Sequence, residues 1–174
     1  YDSNSILLTM APVILVLSGG YFLGGWLGDM LFKRSNKGRI AVSIVGVLLG
    51  AIFLYLAITT PVEDRSQFFI FMCLTALFMP LSSANVIATV YDVTVPEVRS
   101  TAQATEYFVE NGGAAFAPWI TGVIATRMGL ETSILLICSL AWGLCVLFYL
   151  GALFTIDHDT HHLRAQMAER AKSM

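Results

Sequence analysis

Five long, uninterrupted apolar stretches constrain this chain more than any other feature of its sequence. At a rise of 1.5 Å per residue, each is long enough as an α-helix to cross a hydrocarbon layer of about 30 Å. Helix is favoured over strand because each stretch is continuously apolar, whereas membrane strands alternate apolar and polar residues over about ten positions. The predicted spans are residues 6–32, 40–60, 68–91, 101–126 and 132–156.

The composition agrees with a membrane protein. Hydrophobic residues make up 56% of the chain and charged residues only 13%, whereas soluble domains carry about a quarter charged residues. The net charge of −2 gives no indication of a nucleic-acid partner. Cys73, Cys138 and Cys145 lie inside the apolar stretches, where we expect small buried hydrophobic residues and neither disulfides nor metal ligands.

The basic residues predict how the spans are oriented. Eight of them lie in one set of connections and in the tail, and two lie in the opposite set. Because cytoplasmic loops carry the excess of Lys and Arg, we expect the first set inside a cell membrane, with the N-terminus outside and the C-terminus cytoplasmic. The eight are Lys33, Arg34, Lys37, Arg39, Arg99, Arg164, Arg170 and Lys172, and the two are Arg65 and Arg127.

The sequence therefore predicts an all-α fold. A polytopic transmembrane helix bundle of five spans occupies residues 1–156, and residues 157–174 form a cytoplasmic tail. The tail fits a helix lying at the membrane surface and a frayed terminus about equally. Its histidines are interpreted as solvated polar residues, so no metal and no cofactor is predicted. No nucleotide-binding, zinc-peptidase or nucleophile-elbow motif occurs, and no enzymatic activity is predicted.

Glycines line one face of the first span. Gly20, Gly24 and Gly28 follow each other at intervals of four, and Gly25 lies beside them. In lipid, helices associate through close backbone contact, so we expect this face to pack against a partner helix. A functional alternative is that the two helices slide along this contact.

The end of the first span carries a charged motif. Gly25, Leu27, Asp29, Lys33 and Arg34 follow the pattern G-x-L-x-D-[RK]-x-G-[RK]-[RK] in register, with Met30 and Phe32 as departures from it. This motif resembles the signature loop of the major facilitator superfamily of transporters. The segment from Asp92 to Thr101, with its acidic residue, proline and arginine before a helix of small residues, is similar to a second loop of that family.

The resemblance implies a conformational latch at the cytoplasmic side. Asp29 lies at the C-terminal end of a helix, where the helix dipole opposes a negative charge, so a basic group must compensate it. Lys33 and Arg34 are the local candidates, and Arg99 is the remote one. A plain cluster of charges that sets the membrane topology is the alternative.

Two carboxylates interrupt the fourth span. Glu106 and Glu110 lie one turn apart on one helix face. Glu110 is expected about halfway into the membrane. An ionised carboxylate there costs at least about 2.5–3.5 kcal/mol on insertion scales, so it must face a cavity, pair with a cation or stay protonated. We expect a proton-coupling or substrate-cation site, with a structural hydrogen bond to a neighbouring helix as the alternative.

Other polar residues in the spans are further candidates. Asn85 follows Pro80 in the third span and is either a substrate contact or the donor of an interhelical hydrogen bond. Tyr107 directly follows Glu106, and Asn111 directly follows Glu110. Both are grouped with the carboxylates as candidate substrate or ion contacts.

The resemblance also implies the wider architecture. One helix before the signature loop and four after it correspond to helices eight to twelve of a twelve-helix carrier. The expected partners are the lipid bilayer, a small-molecule substrate and the missing N-terminal half of the same transporter. The expected function is secondary active transport by alternating access, coupled to protons or another ion. The alternative is a membrane scaffold or assembly protein that transports nothing.

Overall fold

The computed structural model describes residues 3–172, and every regular element in that range is a helix. The connections are short, so consecutive helices pack as neighbours. The all-α prediction is confirmed. The helices are α1 (Ser3–Phe32), α2 (Gly38–Ile58), α3 (Arg65–Phe78), α4 (Pro80–Val93), α5 (Arg99–Met128) and α6 (Leu130–Lys172), with one 3₁₀ turn at Pro96–Val98.

The predicted third span consists of α3 and α4, which follow each other without a loop. Met79 joins them and has helical backbone angles, and its N–H still donates to the carbonyl of Thr75 at 3.0 Å. Pro80 has no N–H to continue the hydrogen-bond ladder, which explains why the helix divides there. Together α3 and α4 form one rod from Arg65 to Val93.

Glycines set the packing of this rod against α1. A Cβ atom built on Gly20 would lie 2.4 Å from the carbonyl oxygen of Leu77, and one on Gly24 would lie 2.6 Å from the Cα of Leu81. These distances are shorter than any van der Waals contact, so only glycine permits this approach of the backbones. Gly25 lies off this contact, since a Cβ atom built on it would lie 3.9 Å from the Cβ of Ala84.

The rod packs on α2 in the same way. A Cβ atom on Gly46 would lie 2.8 Å from the carbonyl oxygen of Phe78, and one on Gly50 would lie 2.9 Å from the side chain of Met79. We call the assembly of α1, α2, α3 and α4 the glycine layer. Most of the buried residues among those described belong to it.

The last two helices pack differently. α5 contacts α6 along its length and touches α4, yet none of its residues is buried. α6 packs on α2 and α4 and continues as one helix from the predicted fifth span through the tail to Lys172. We call α5 and α6 the outer pair.

Four stretches of helix are long and apolar enough to cross a membrane, and α5 is not among them. Its glutamates and neighbouring polar residues lower its hydropathy. Contacts of the tail, described below, place the end of α6 at the same end of the bundle as loop 33–37 and segment 94–98. α5 therefore runs the length of the bundle, antiparallel to α4 and α6, where the fourth span is predicted. Its 30 residues extend about 45 Å.

Candidate functional site

A cavity of about 440 Å³ lies where the outer pair meets the glycine layer. Residues of α4, α5 and α6 form most of its wall, and Tyr21 of α1 and Val47 of α2 complete it. The wall combines apolar side chains, two serines, aromatic rings and two carboxylates. Its polar and aromatic members are Ser82, Ser83, Glu106, Glu110, Tyr21, Tyr107, Trp142 and Tyr149.

Both predicted carboxylates line this cavity. Glu106 is partly buried, and its Oε2 atom is inaccessible and has no hydrogen-bond partner among the described residues. Glu110, one turn further along α5, is exposed. No Lys, Arg or His belongs to the described lining. Two carboxylates one turn apart repel each other when both are ionised, and no cation of the described chain lies in this wall to compensate them.

Tyr107 also lines the cavity and ends a chain of polar contacts. The Tyr91 hydroxyl donates to Gln103 Oε1, and Gln103 Nε2 donates to the hydroxyl of Tyr107 at 3.2 Å. This chain joins the end of α4 to the carboxylate-bearing turn of α5. Asn111 lies apart from it, with its Nδ2 donating to the backbone oxygen of Tyr107 at 2.7 Å on an exposed part of α5.

Sequence reasoning missed the contribution of α6 to the cavity. Trp142, Cys145 and Tyr149 follow each other at intervals of three and four and line the same wall. Their helical spacing was a usable signal for a shared face. Nothing in the sequence indicated that this face, and not another, meets the glutamates of α5.

Asn85 lies inside the glycine layer and not in the cavity. It is 1% exposed, and its Nδ2 donates to the carbonyl oxygens of Gly24 at 2.9 Å and Leu81 at 2.7 Å. A Cβ atom on Gly28 would overlap its Oδ1 atom. Of the two alternatives, this geometry matches the interhelical hydrogen bond, because the amide donors are already used within the protein.

Asp29 pairs with Arg39 at one end of the bundle. Loop 33–37, segment 94–98 and the last residues of α6 form this end, and we call it the basic end. The Arg39 Nη2 atom lies 2.7 Å from Asp29 Oδ1, and Nη1 pairs with Asp92 at the end of α4. The Arg39 side chain is 14% exposed, and its guanidinium lies 4.2 Å from the ring centroid of Phe32. One arginine of α2 thus joins α1 to α4.

The other predicted latch residues lie differently from the expectation. Arg99 donates to the carbonyl oxygens of Tyr91 at 3.1 Å and Thr94 at 3.4 Å. Its guanidinium is therefore held by the C-terminal end of α4 and does not pair with Asp29. Lys33 and Arg34 are exposed, and neither forms an ion pair within residues 3–172.

The tail packs on both loops of the basic end. Lys37 Nζ lies 3.2 Å from Asp157 Oδ2, and Asn36 Nδ2 donates to Asp157 Oδ1 at 3.3 Å. Further along, Arg170 Nη1 donates to Glu97 Oε1 at 2.8 Å. These contacts join α6 to loop 33–37 and to the turn before α5, and they place all three at one end of the bundle.

Four stretches of helix in the described chain that are long and apolar enough to cross a membrane define a multi-pass membrane protein. The family model of the Major Facilitator Superfamily matches residues 2–172, so this chain belongs to the Major Facilitator Superfamily of membrane transporters. No solved structure matches the chain.

Proposed function

We propose that this chain forms part of a secondary active transporter that moves a small solute by alternating access, coupled to protons or another ion. The cavity carries the proposal, because two carboxylates of α5 line it between otherwise apolar helices. Such groups cost at least about 2.5–3.5 kcal/mol to insert and mark substrate or ion pathways in membrane proteins. A membrane scaffold or assembly protein does not require carboxylates that line a cavity.

Glu110, together with Glu106, is the proposed coupling site. The two carboxylates repel each other when both are ionised, and a proton or another cation held between them would relieve that repulsion. The other titratable groups that face the cavity are Tyr107 on α5, Cys145 and Tyr149 on α6, and Tyr21 on α1. None of these is a carboxylate, so the pair is the natural site for a proton that exchanges during transport.

The latch is proposed at the basic end, with Asp29 and Arg39 at its centre. Arg39 contacts carboxylates of both α1 and α4, so separation of these helices would break at least one charged pair. Arg99 supports the latch indirectly by holding the end of α4. Lys33 and Arg34 are exposed and add positive charge to the loop, which is expected to be cytoplasmic.

The proposed partner is an N-terminal half of the same transporter. α5 exposes large apolar side chains, among them Phe108 at 79% and Trp119 at 69%. α1 exposes Leu15 and Phe22 to a similar extent. Both surfaces suit lipid or a second half that completes the transport path.

The experiment is proton-linked transport by the full-length protein in liposomes that contain a pH-sensitive dye. Solutes are screened for proton movement, and the variant Glu110→Gln is compared with Glu131→Gln, which removes an exposed carboxylate outside the cavity. We expect Glu110→Gln to lose gradient-driven uptake while it retains solute exchange. Unchanged pH dependence in Glu110→Gln would overturn the coupling role, and absence of exchange for every solute would favour a scaffold.

A further inference from the structure

We propose that the cavity binds an organic cation, a protonated or quaternary amine that carries apolar substituents. This inference rests on the proposed function, since it names the class of solute that the same cavity would accept. It depends on three features of the wall: its charge, its aromatic rings and the kind of oxygen atoms that it offers.

The charge of the wall selects a cation. Glu106 and Glu110 face the cavity, and no Lys, Arg or His belongs to its described lining. The Glu106 Oε2 atom is buried without a hydrogen-bond partner in the described chain. An anionic solute would find no opposite charge in this wall and would be repelled by its carboxylates, whereas a positive group would be attracted to them.

The rings of the wall suit an organic cation. Tyr21, Tyr107, Trp142 and Tyr149 line the cavity from α1, α5 and α6. Aromatic faces attract cations through the ring quadrupole, and aromatic cages are the usual way to recognise quaternary ammonium groups. The volume of about 440 Å³ lies in the range of about 300–1,000 Å³ that small-molecule sites occupy.

The same wall does not resemble a calcium or magnesium site. Calcium takes six to eight oxygen ligands and magnesium demands octahedral coordination, whereas the wall supplies two carboxylates, with serine and tyrosine hydroxyls as its other side-chain oxygens. No group of three or more His, Cys, Asp or Glu residues that could hold a metal occurs among the described residues. The apolar part of the lining instead matches substituents on an amine.

The test is binding of tritiated tetraphenylphosphonium, a bulky organic cation, to the purified full-length protein in detergent without any gradient. Neutral triphenylphosphine oxide, tested separately by its effect on the melting temperature, serves as the uncharged probe. Glu110→Gln and Trp142→Leu alter the wall. Their matched controls are Glu131→Gln and Phe154→Leu, which lie outside it, and Glu110→Asp keeps the charge.

We expect Glu110→Gln and Trp142→Leu each to weaken binding of the cation by at least about tenfold, with both controls within twofold of the unmodified protein. Glu110→Asp should restore most of the affinity, which separates loss of charge from loss of fold. The neutral probe should not raise the melting temperature. Equal affinity of Glu110→Gln and the unmodified protein for tetraphenylphosphonium would overturn the proposed substrate class. A rise in melting temperature with the neutral probe that equals the rise with tetraphenylphosphonium would overturn it as well.

The two proposals fail in distinguishable ways. Glu110-dependent proton coupling without any binding of tetraphenylphosphonium would refute the organic cation and leave the transporter intact. Glu110-dependent binding of tetraphenylphosphonium without transport or exchange in liposomes would retain the cation site and refute the transport function.

Discussion

The glycine layer and the outer pair are built on opposite principles. In the glycine layer, α1 and α2 approach the rod of α3 and α4 so closely that Gly20 and Gly24 have no room for a methyl group. In the outer pair, a Cβ atom built on Gly112 or Gly113 of α5 would have no neighbouring atom within 4 Å. The first region is held together by close contact between backbones, and the second leaves the space in which the carboxylates lie.

The largest effect is expected at Gly24. Gly24→Leu inserts a side chain where a single Cβ atom would already lie 2.6 Å from Leu81 Cα, and overpacking of this kind costs about 1–3 kcal/mol or more. The measurement is the thermal unfolding of the full-length protein in detergent. Gly151→Leu on α6 is the matched control and should leave the melting temperature nearly unchanged, because a Cβ atom built on Gly151 has no neighbouring atom within 4 Å. Equal losses at the two positions would contradict the distinction between the regions.

Removal of the Arg39 guanidinium should have the next largest effect. Arg39→Gln leaves Asp29 and Asp92 without their shared cation. Solvent screens the pair with Asp29, which is 63% exposed, so the loss of about 1.5–3 kcal/mol comes mainly from Asp92, which is 22% exposed. We expect lower stability and a changed balance of inward- and outward-facing states, measured by cysteine accessibility on the two sides of the membrane. Arg34→Gln, at an exposed arginine of the same basic end, should change neither quantity. Similar behaviour of the two variants would refute the latch.

A smaller effect is expected for Asn85→Ala. This change removes the hydrogen bond from Asn85 Nδ2 to the Gly24 carbonyl, and such interhelical bonds average about 0.6 kcal/mol in membranes. We expect a slightly lower melting temperature and unaltered affinity for transported solutes. A loss of solute affinity without loss of stability would instead support Asn85 as a substrate contact.

The smallest effect is expected where the tail meets the turn before α5. Arg170→Ala breaks an ion pair with Glu97 whose side chains are 43% and 64% exposed, and exposed pairs contribute about 0–1 kcal/mol. A double-mutant cycle with Glu97→Ala should therefore give a coupling of less than about 1 kcal/mol that decreases with added salt. A larger coupling energy that does not change with salt would show that the tail stabilises the basic end more strongly than the exposure of this ion pair indicates.

The two regions also differ in how far the sequence predicts them. The spacing of Gly20, Gly24 and Gly28 predicts a close helix contact, and the structure shows that contact, because backbone approach in lipid depends on residue size alone. The choice of Arg39 as the partner of Asp29 was not predictable from spacing. It depends on how α2 crosses α1 and α4, and several basic residues lie within a few positions.

The glutamates of α5 were identifiable by the cost of burying them. The aromatic wall contributed by α6 was not, because its face is defined only by packing between helices distant in sequence.

The central claim is that the space beside the glutamates is an aqueous cavity on the transport path, whereas the glycine layer is sealed. In the full-length protein with its native cysteines replaced, Ser83→Cys lies in the cavity wall and Ser43→Cys lies in the glycine layer, where Ser43 is 2% exposed. The measurement is the reaction of each cysteine with a membrane-impermeant thiol reagent. Rapid labelling at position 83 and none at position 43 is the predicted result. Equal protection of both positions from the reagent, on either side of the membrane, would contradict the account.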